Sequence, residues 1–536
     1  MKMFRVPCNY TPKMGKSQVY GMAQNNAIVE GMFWADRIAQ EITAKFGAPQ
    51  APLLIRDEKT LSGRVHVGSL RGVAIHGVIH EVLGEQGIAS NFKFEFNDYD
   101  PMDGIPSYLD QAKYEQYLGL PLKNIPSPVE GFENFAEYYG AEFKAVIEAA
   151  GFAPEFYRSS ELYLSGKMDD VIRAALEGAA DIRRIYKEVS GGERKDTWLP
   201  ISVICPTCGK LSTTFASDFD GETVQVECRD LDWVKGCAYS GRVSPFGGSA
   251  KLPWKVEWPA KWKVMGVGIE GAGKDHSTKG GSRDVANHIS QEVFKYEPPF
   301  DVPYEFFLVG GKKMSSSKGQ GSSAKEISDL VPAKILRLAL LSKDPMHAFS
   351  FDPEGDTIPV LYDHYDKLAV EYWAGTRDDY ARLFEYVHPN RVVPAQSVLP
   401  RFSQVAFVVQ MPHMDIYKEF PEADRAELDE RAHYAKHWLE SYAPEKFVFK
   451  LQDELPEVAK SLSDSSKQAL KALHDFIEAS QAMPSGEELH TELHKTKEFK
   501  SIYLAFLAKD SGPKAGWFLS SLPREFVLKR LQEASA

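Results

Sequence analysis

The chain predicts an α/β fold, a Rossmann-type parallel sheet followed by an all-helical region, and three observations carry that prediction. Two Gly-bearing turns, at residues 59–72 and 308–319, each follow a short apolar stretch. Around and between them, strand-like segments alternate with helix-spaced ones. From about residue 360 the apolar spacing is helical almost throughout, with breaks near Pro389, Pro412, Pro444 and Pro484.

Length and composition set the bounds. A chain of 536 residues holds several domains, and 43% hydrophobic with 12% aromatic residues supplies ample core. A net charge of -12 argues against wholesale coating by nucleic acid, so any RNA contact must be a local basic track on an acidic body. Apolar stretches such as 335–341 are too short for a membrane span, and the amino terminus lacks a hydrophobic signal core, which predicts a cytoplasmic chain with no membrane partner. Of five cysteines, Cys8 stands alone and four fall between 205 and 237, which fits metal binding in a reducing compartment better than a disulfide framework.

In chain order, residues 33–46 predict a leading helix packed on the sheet. Lys59-Thr-Leu-Ser-Gly-Arg-Val-His-Val-Gly-Ser-Leu-Arg-Gly72 then joins an apolar strand at 52–55 to a helix beginning near Ser69, the βα turn of a nucleotide-binding sheet. Gly63 permits the turn, Gly68 lets a flat base or a phosphate approach the backbone, His66 offers a donor there, and amides at the helix start attract anions. The helix continues over 70–83. It carries His76 and His80 one turn apart, yet no third metal ligand is nearby, so packed or solvated imidazoles are expected. Residues 91–96 alternate as a strand does and deliver Asn97-Asp-Tyr-Asp100 to its carboxyl end, where ligands of parallel sheets sit. Two carboxylates there suit a cationic substrate or an amino group; an acidic turn is the alternative.

Residues 105–195 mix helices with Pro-bearing loops and read as the start of an insertion. Cys205-Pro-Thr-Cys208 presents two thiolates from one tight loop, and Cys228 and Cys237 provide a second pair, predicting a closed structural zinc site with no open position for water. Trp254-Lys-Val-Glu-Trp-Pro-Ala-Lys-Trp262 reads either as core or, beside Gly273-Lys-Asp-His276, as a wall for an ammonium-bearing chain. Residues 284–294 read as a helix and 303–309 as the last strand before the Lys/Ser loop; residues 324–341 give two short helices split by Pro332.

The two Gly-bearing turns resemble the signature elements of class I aminoacyl-tRNA synthetases. Phe33-Trp-Ala-Asp36, Ser62-Gly-Arg-Val-His-Val-Gly68, Asn97-Asp-Tyr-Asp100, Cys205-Pro-Thr-Cys208, Lys255-Val-Glu-Trp-Pro-Ala-Lys-Trp262, Gly273-Lys-Asp-His276, Tyr304-Glu-Phe306 and Lys313-Met-Ser-Ser-Ser-Lys318 make the chain similar to the class I lysine-tRNA ligases through most of residues 30–360. The resemblance implies a first half of the catalytic domain at 1–104, a zinc-bearing insertion at 105–250, a second catalytic half at 251–322, a connecting helical domain facing the tRNA stem at 323–375, and a helical anticodon-binding domain at 376–536. It implies ATP-dependent activation of lysine, with Mg2+ as the ATP counterion, and transfer to tRNA(Lys), with structural Zn2+ on the four cysteines and no role for DNA.

By motif position, the resemblance puts His66, Ser69, Lys313 and Lys318 at the reacting phosphates. Ser62, Gly63, His66, Gly68, Lys313, Ser315, Ser317 and Lys318 would hold ATP, and Glu58, Thr60, Asp98, Trp254, Trp258, Asp275, His276 and Tyr304 would surround lysine. The chain departs from the family pattern at Ser69, where Asn or His is usual, at Leu61 in place of proline, at Glu58 where many relatives carry glycine, and at Ser316 in place of the second lysine. Two alternatives follow: a tRNA-binding paralogue without aminoacylation, or a class I synthetase of another specificity such as glutamate. Lys509, Lys514, Arg524, Lys529 and Arg530 read as a phosphate track or as a solvated helix face.

Overall fold

A computed structural model describes residues 32–47, 49–310, 322–411 and 414–536. The central sheet has four parallel strands, β1 (Leu53–Thr60), β2 (Ser90–Asn97), β3 (Glu155–Arg158) and β4 (Val267–Ile269), in the order β3-β2-β1-β4. β1 therefore lies inside the sheet, pairing with β2 from Leu53 opposite Ser90 to Thr60 opposite Asn97, and with β4 on its other side. Parallel neighbours require crossovers, and helices supply them. α1 (Trp34–Phe46) and α2 (Leu70–Glu85) pack on the sheet and on each other, as do α3 (Trp254–Met265) and α4 (Ser282–Glu292).

Two strand boundaries differ from the sequence expectation. β1 extends past the apolar residues 52–55 through Arg56-Asp-Glu-Lys-Thr60, because buried charge partners replace the apolar contacts that pattern reading looks for. The expected strand at 303–309 contracts to Phe307–Val309, which pairs in parallel with Phe349–Phe351, while Tyr304 makes only an isolated bridge to Gly273. The expected helices at 33–46, 70–83 and 284–294 appear as α1, α2 and α4, and Pro332 separates Ala324–Ser328 from α5 (Ala333–Leu341) as predicted.

Three large buried apolar cores organise the described residues, with two small ones around Trp262 and Leu428. One runs from Phe33 through the sheet and α2 to Trp438, so the first part of the helical region shares its core with the sheet. A second joins the helices at 169–190 and a three-stranded antiparallel sheet (Thr214–Ser217, Val224–Cys228, Ser240–Val243) to α3 and α4. A third is confined to residues 411–534. Arg382 clamps the helix Asp379–Tyr386 onto the helices of the sheet by pairing with Asp36 of α1 at 2.9 Å and Glu85 of α2 at 2.7 Å, and its hydrogen bond holds the Glu85 carboxyl down at about 2. Among the described residues no helix is long and apolar enough to cross a membrane.

Candidate active site

Neighbours along an extended strand face opposite ways, so the carboxyl half of β1 serves two surfaces. Arg56 and Glu58 face α3, and Asp57 faces α2. Arg56 is fully buried and spends its guanidinium on four partners: Glu270 at 2.6 Å, Glu95 at 2.7 Å, the Tyr157 hydroxyl at 2.8 Å, and Glu58. Lys261 of α3 pairs with Glu95 and with Glu257 at 3.3 Å, and Lys251 pairs with Asp100 at 2.9 Å and with Glu257. Five carboxylates thus face three cations under the sheet's carboxyl edge. Burial lifts the Glu58 carboxyl above its ordinary value against the pull of Arg56. Burial would lift Glu95 too, but Lys261 and Arg56 overcome it and hold that group well below the carboxylate range. A network with an acidic surplus has a vacancy for positive charge, and its nearest opening to solvent is at Glu58.

That opening is a cleft of about 300 Å³. Of the residues expected at a site, Glu58, His66, Gly68, Ser69, Trp254, Trp258, Asp275, His276 and Tyr304 all line it. The tryptophan run is both core and wall. Trp262 is fully buried and Trp258 nearly so, each donating its indole N–H to Glu270 at 2.7 and 3.0 Å, whereas Trp254 is 44% exposed and stacks on Trp258 with His276 edge-on at 5.5 Å.

Gly63 adopts φ +148°, a conformation side chains resist. A Cβ on Gly68 would stand 2.9 Å from the His66 ring and 3.2 Å from the Phe307 carbonyl, so a larger residue would push the imidazole aside where those segments meet. The second Gly-bearing segment flanks the same place. The Val67 N–H donates to the Ser322 carbonyl at 3.4 Å, the Ala324 N–H donates to the Val65 carbonyl at 2.7 Å, and Gly310 is tied to Phe351. Lys313, Ser315, Ser317 and Lys318 themselves lie outside the described residues.

Four expected residues sit elsewhere. The Thr60 hydroxyl donates to Asp100 at 2.7 Å, and Asp98 is consumed by the Ser160 N–H and hydroxyl at 2.9 and 2.6 Å, away from the cleft lining. Ser62 and Gly63 shape the turn without lining the cleft. Sequence reasoning missed Asp57, Lys59, Arg71 and Glu270, all of which line it. The available signal was the charge run Arg56-Asp-Glu-Lys59 directly before the signature turn, an odd composition for an interior strand.

Residues 32–390 match the model of the tRNA synthetases class I (K). The chain belongs to that family. A lysine--tRNA ligase from Methanosarcina barkeri is 32% identical over 547 residues, covering 95% of this chain and 98% of the relative. One from Thermoplasma acidophilum is 31% identical over 94% of this chain and 98% of its own length. A glutamate tRNA ligase from Elizabethkingia meningosepticum aligns over 90% of this chain and 99% of its own at 13% identity and a TM-score of 0.43, too loose a likeness to add to the assignment.

Two further features of this family member bear on metal and RNA. The four thiols of Cys205, Cys208, Cys228 and Cys237 converge with all sulfurs within 4.8 Å of one another, Cys205 to Cys237 at 3.5 Å and Cys208 to Cys228 at 3.8 Å. Cys228 ends a strand and Cys237 returns beside it through a turn that Asp230 caps at the Gly236 N–H, which is how a loosely spaced second pair closes. His76 and His80 have separate partners: His80 lies 2.7 Å from the Ser90 hydroxyl, and His76 lies 3.3 Å from Asp57 and accepts from the Gly271 N–H. The basic residues near the carboxyl terminus do not form one track. Arg530 is buried on the carbonyls of Ala505 and Gln452, Arg524 caps the helix Asp464–Ala479, and Lys529 pairs with Glu533. Lys509 instead lines a cavity of about 780 Å³ with Lys446, Lys500 and several serines, and Lys514 lies 4.9 Å over the exposed Trp517 ring.

Proposed function

We propose that this chain activates L-lysine with ATP and transfers it to the 3′-terminal adenosine of tRNA(Lys), releasing pyrophosphate and then AMP. The observation that carries the reading is the acid-surplus cleft, walled by Trp254, Trp258 and His276, beside the His66–Gly68 turn. A long cation satisfies such a cleft, with its ε-ammonium at Glu58 and its methylenes on the tryptophans. Glutamate would bring a further carboxylate into a site already rich in them, which disfavours that alternative.

In the first step a lysine carboxylate oxygen forms a bond to the α-phosphorus as the bond to the bridging oxygen breaks, and pyrophosphate leaves. In the second, the terminal ribose hydroxyl, the 2′ in this class, attacks the activated carbonyl and AMP departs. Positioning and charge neutralisation lower both barriers, with no protein nucleophile. His66 donates to the phosphates, Gly68 admits the adenine, and Lys313 and Lys318 neutralise the triphosphate, with Mg2+ as its counterion.

The thiol cluster fits zinc. Sulfurs 2.3 Å from a tetrahedral ion stand about 3.8 Å apart, and two of the pairs here measure 3.5 and 3.8 Å. Four thiolates leave no water position, so the ion would fix the insertion without joining the reaction. Residues 376–536 would read the anticodon, where a cavity lined by serines, Lys446, Lys500 and Lys509, with Glu445, Glu498 and Asp510 among them, offers hydroxyls for base edges and cations for phosphates, and the exposed Trp517 of the same region offers a ring for stacking. ATP–pyrophosphate exchange over all twenty amino acids tests the function. Lysine alone should support exchange, and exchange with glutamate or with none overturns the reading.

A further inference from the structure

The cavity of about 780 Å³ among the carboxyl-terminal helices is lined by three lysines and three acids, and one of those acids, Glu498, is held by a buried serine. We infer that Glu498 reads uracil in the tRNA anticodon, accepting the N3–H of the base on its free oxygen. This rests on the tRNA(Lys)-charging reading and deepens it by naming a residue that sets RNA specificity.

A short serine chain places the carboxylate. Ser463 caps the helix Asp464–Ala479, and its Oγ accepts from the Ser466 N–H at 3.2 Å. Ser466 lies buried in the first turn, and its hydroxyl donates to Glu498 Oε2 at 2.9 Å. A carboxylate can only accept, so this bond fixes one oxygen and leaves Oε1 open. Among the described residues no other donor bonds the Glu498 carboxylate, and no lysine or arginine pairs with it. The rest of the lining is arranged differently. Lys446 pairs with Asp356 at 2.5 Å and Lys509 with Glu445 at 3.6 Å, while Asp510 is exposed and no described side chain orients it. Lys500, in the first turn of the helix Phe499–Leu507, has no carboxylate partner among the described residues.

A fixed carboxylate with one open oxygen selects among bases by their donors. Uracil presents a single N–H between two carbonyls: the N–H meets Oε1, and the carbonyls meet lysine and serine donors of the same lining. Cytosine and adenine turn a ring lone pair toward that oxygen, and two acceptors repel. Guanine brings two adjacent donors that fit a whole carboxylate edge, but Ser466 occupies the second oxygen. The size is suitable too, since ligand cavities span ~300–1,000 Å³. The lysine codons share adenine in their first two letters, so every tRNA(Lys) carries uracil at the two anticodon positions that pair with them.

The test charges tRNA(Lys) transcripts carrying uracil, cytosine or guanine at each of those two positions and compares kcat/KM. The wild-type protein should prefer uracil by about 100-fold or more at one of them. Glu498→Gln, whose amide can donate to the ring nitrogen of cytosine, should cut the uracil-over-cytosine ratio there about tenfold or more. Ser466→Ala, which frees the second oxygen, should instead narrow the uracil-over-guanine ratio at the same position, and it decides the matter if thermal melting shows Glu498→Gln unfolded. Equal losses on all transcripts, as a merely structural role predicts, or unchanged ratios overturn the assignment, and so does wild-type charging that is indifferent to these bases. Wild-type protein that fails to exchange pyrophosphate with lysine refutes the proposed function instead, so the two failures are distinct.

Discussion

The cleft and the thiol cluster gather polar groups by opposite means. The cluster draws four identical ligands from one stretch of 33 residues and turns their sulfurs toward each other. The cleft draws unlike groups from β1, α2, α3 and the segments around Glu270 and Tyr304, and leaves their charges unbalanced. A site whose groups satisfy one another is structural; one whose groups remain partly unsatisfied is set up to bind. Neither burial nor the number of ionisable groups separates the two, since both are buried in part.

The sharpest way to break this contrast is to remove the centre of the charge lattice. Arg56→Met leaves Glu95 and Glu270 without their shared partner and should cost about 3–5 kcal/mol in urea unfolding followed by tryptophan fluorescence; a loss below about 1 kcal/mol would mean the lattice does not hold the strand edge. His66→Ala, which leaves the lattice intact, should slow lysine-dependent exchange by about 10²–10³-fold with little change in lysine KM. A large KM change with unaltered turnover would move His66 from the reacting phosphates to the amino acid.

Acid should separate the two sites. Glu95 is held below its ordinary value, so its contribution to stability is complete above the unfolded value of about 4.3 and is lost only as the pH falls below that, toward its folded value. Thiolates compete with protons at much higher pH, since burial, together with hydrogen bonds among the four thiols, pushes the Cys208 thiol up to about 12. Zinc release into a chromogenic chelator should therefore precede the loss of cleft fluorescence as the pH is lowered from 7 to 4, and Cys208→Ser should abolish bound zinc. Simultaneous loss would make the two sites one cooperative unit. The smallest effect is expected at the cleft wall, where His276→Ala should raise the lysine KM by about five- to tenfold, the scale of one partly exposed ring contact. An unchanged KM rejects its role.

What could be read from the sequence follows how local each determinant is. The signature turn was readable because the turn, the glycines and His66 act within a few residues, and Cys205-Pro-Thr-Cys208 announced a ligand loop for the same reason. The tryptophan run could not be resolved into core and wall, because what holds Trp258 and Trp262 inside lies outside the run: the Glu270 carboxylate that accepts their indole N–H groups and the apolar side chains of Val267 and Ala286. The charged half of β1 lacks an apolar strand pattern, because its partners Glu95, Glu270 and Lys261 reach it only through strand pairing and α3. Arg530, which resembles a surface cation in sequence, is spent on carbonyls from two other segments. The residues that escaped notice are thus those whose partners lie far along the chain.

The alternation of Arg56, Asp57 and Glu58 along β1 carries one more implication. Inserting or deleting a single residue in that strand would rotate every following side chain by half a turn, exchanging the carboxylate under α2 for the one under α3 and burying a lysine where an acid now stands. This strand has only one workable frame.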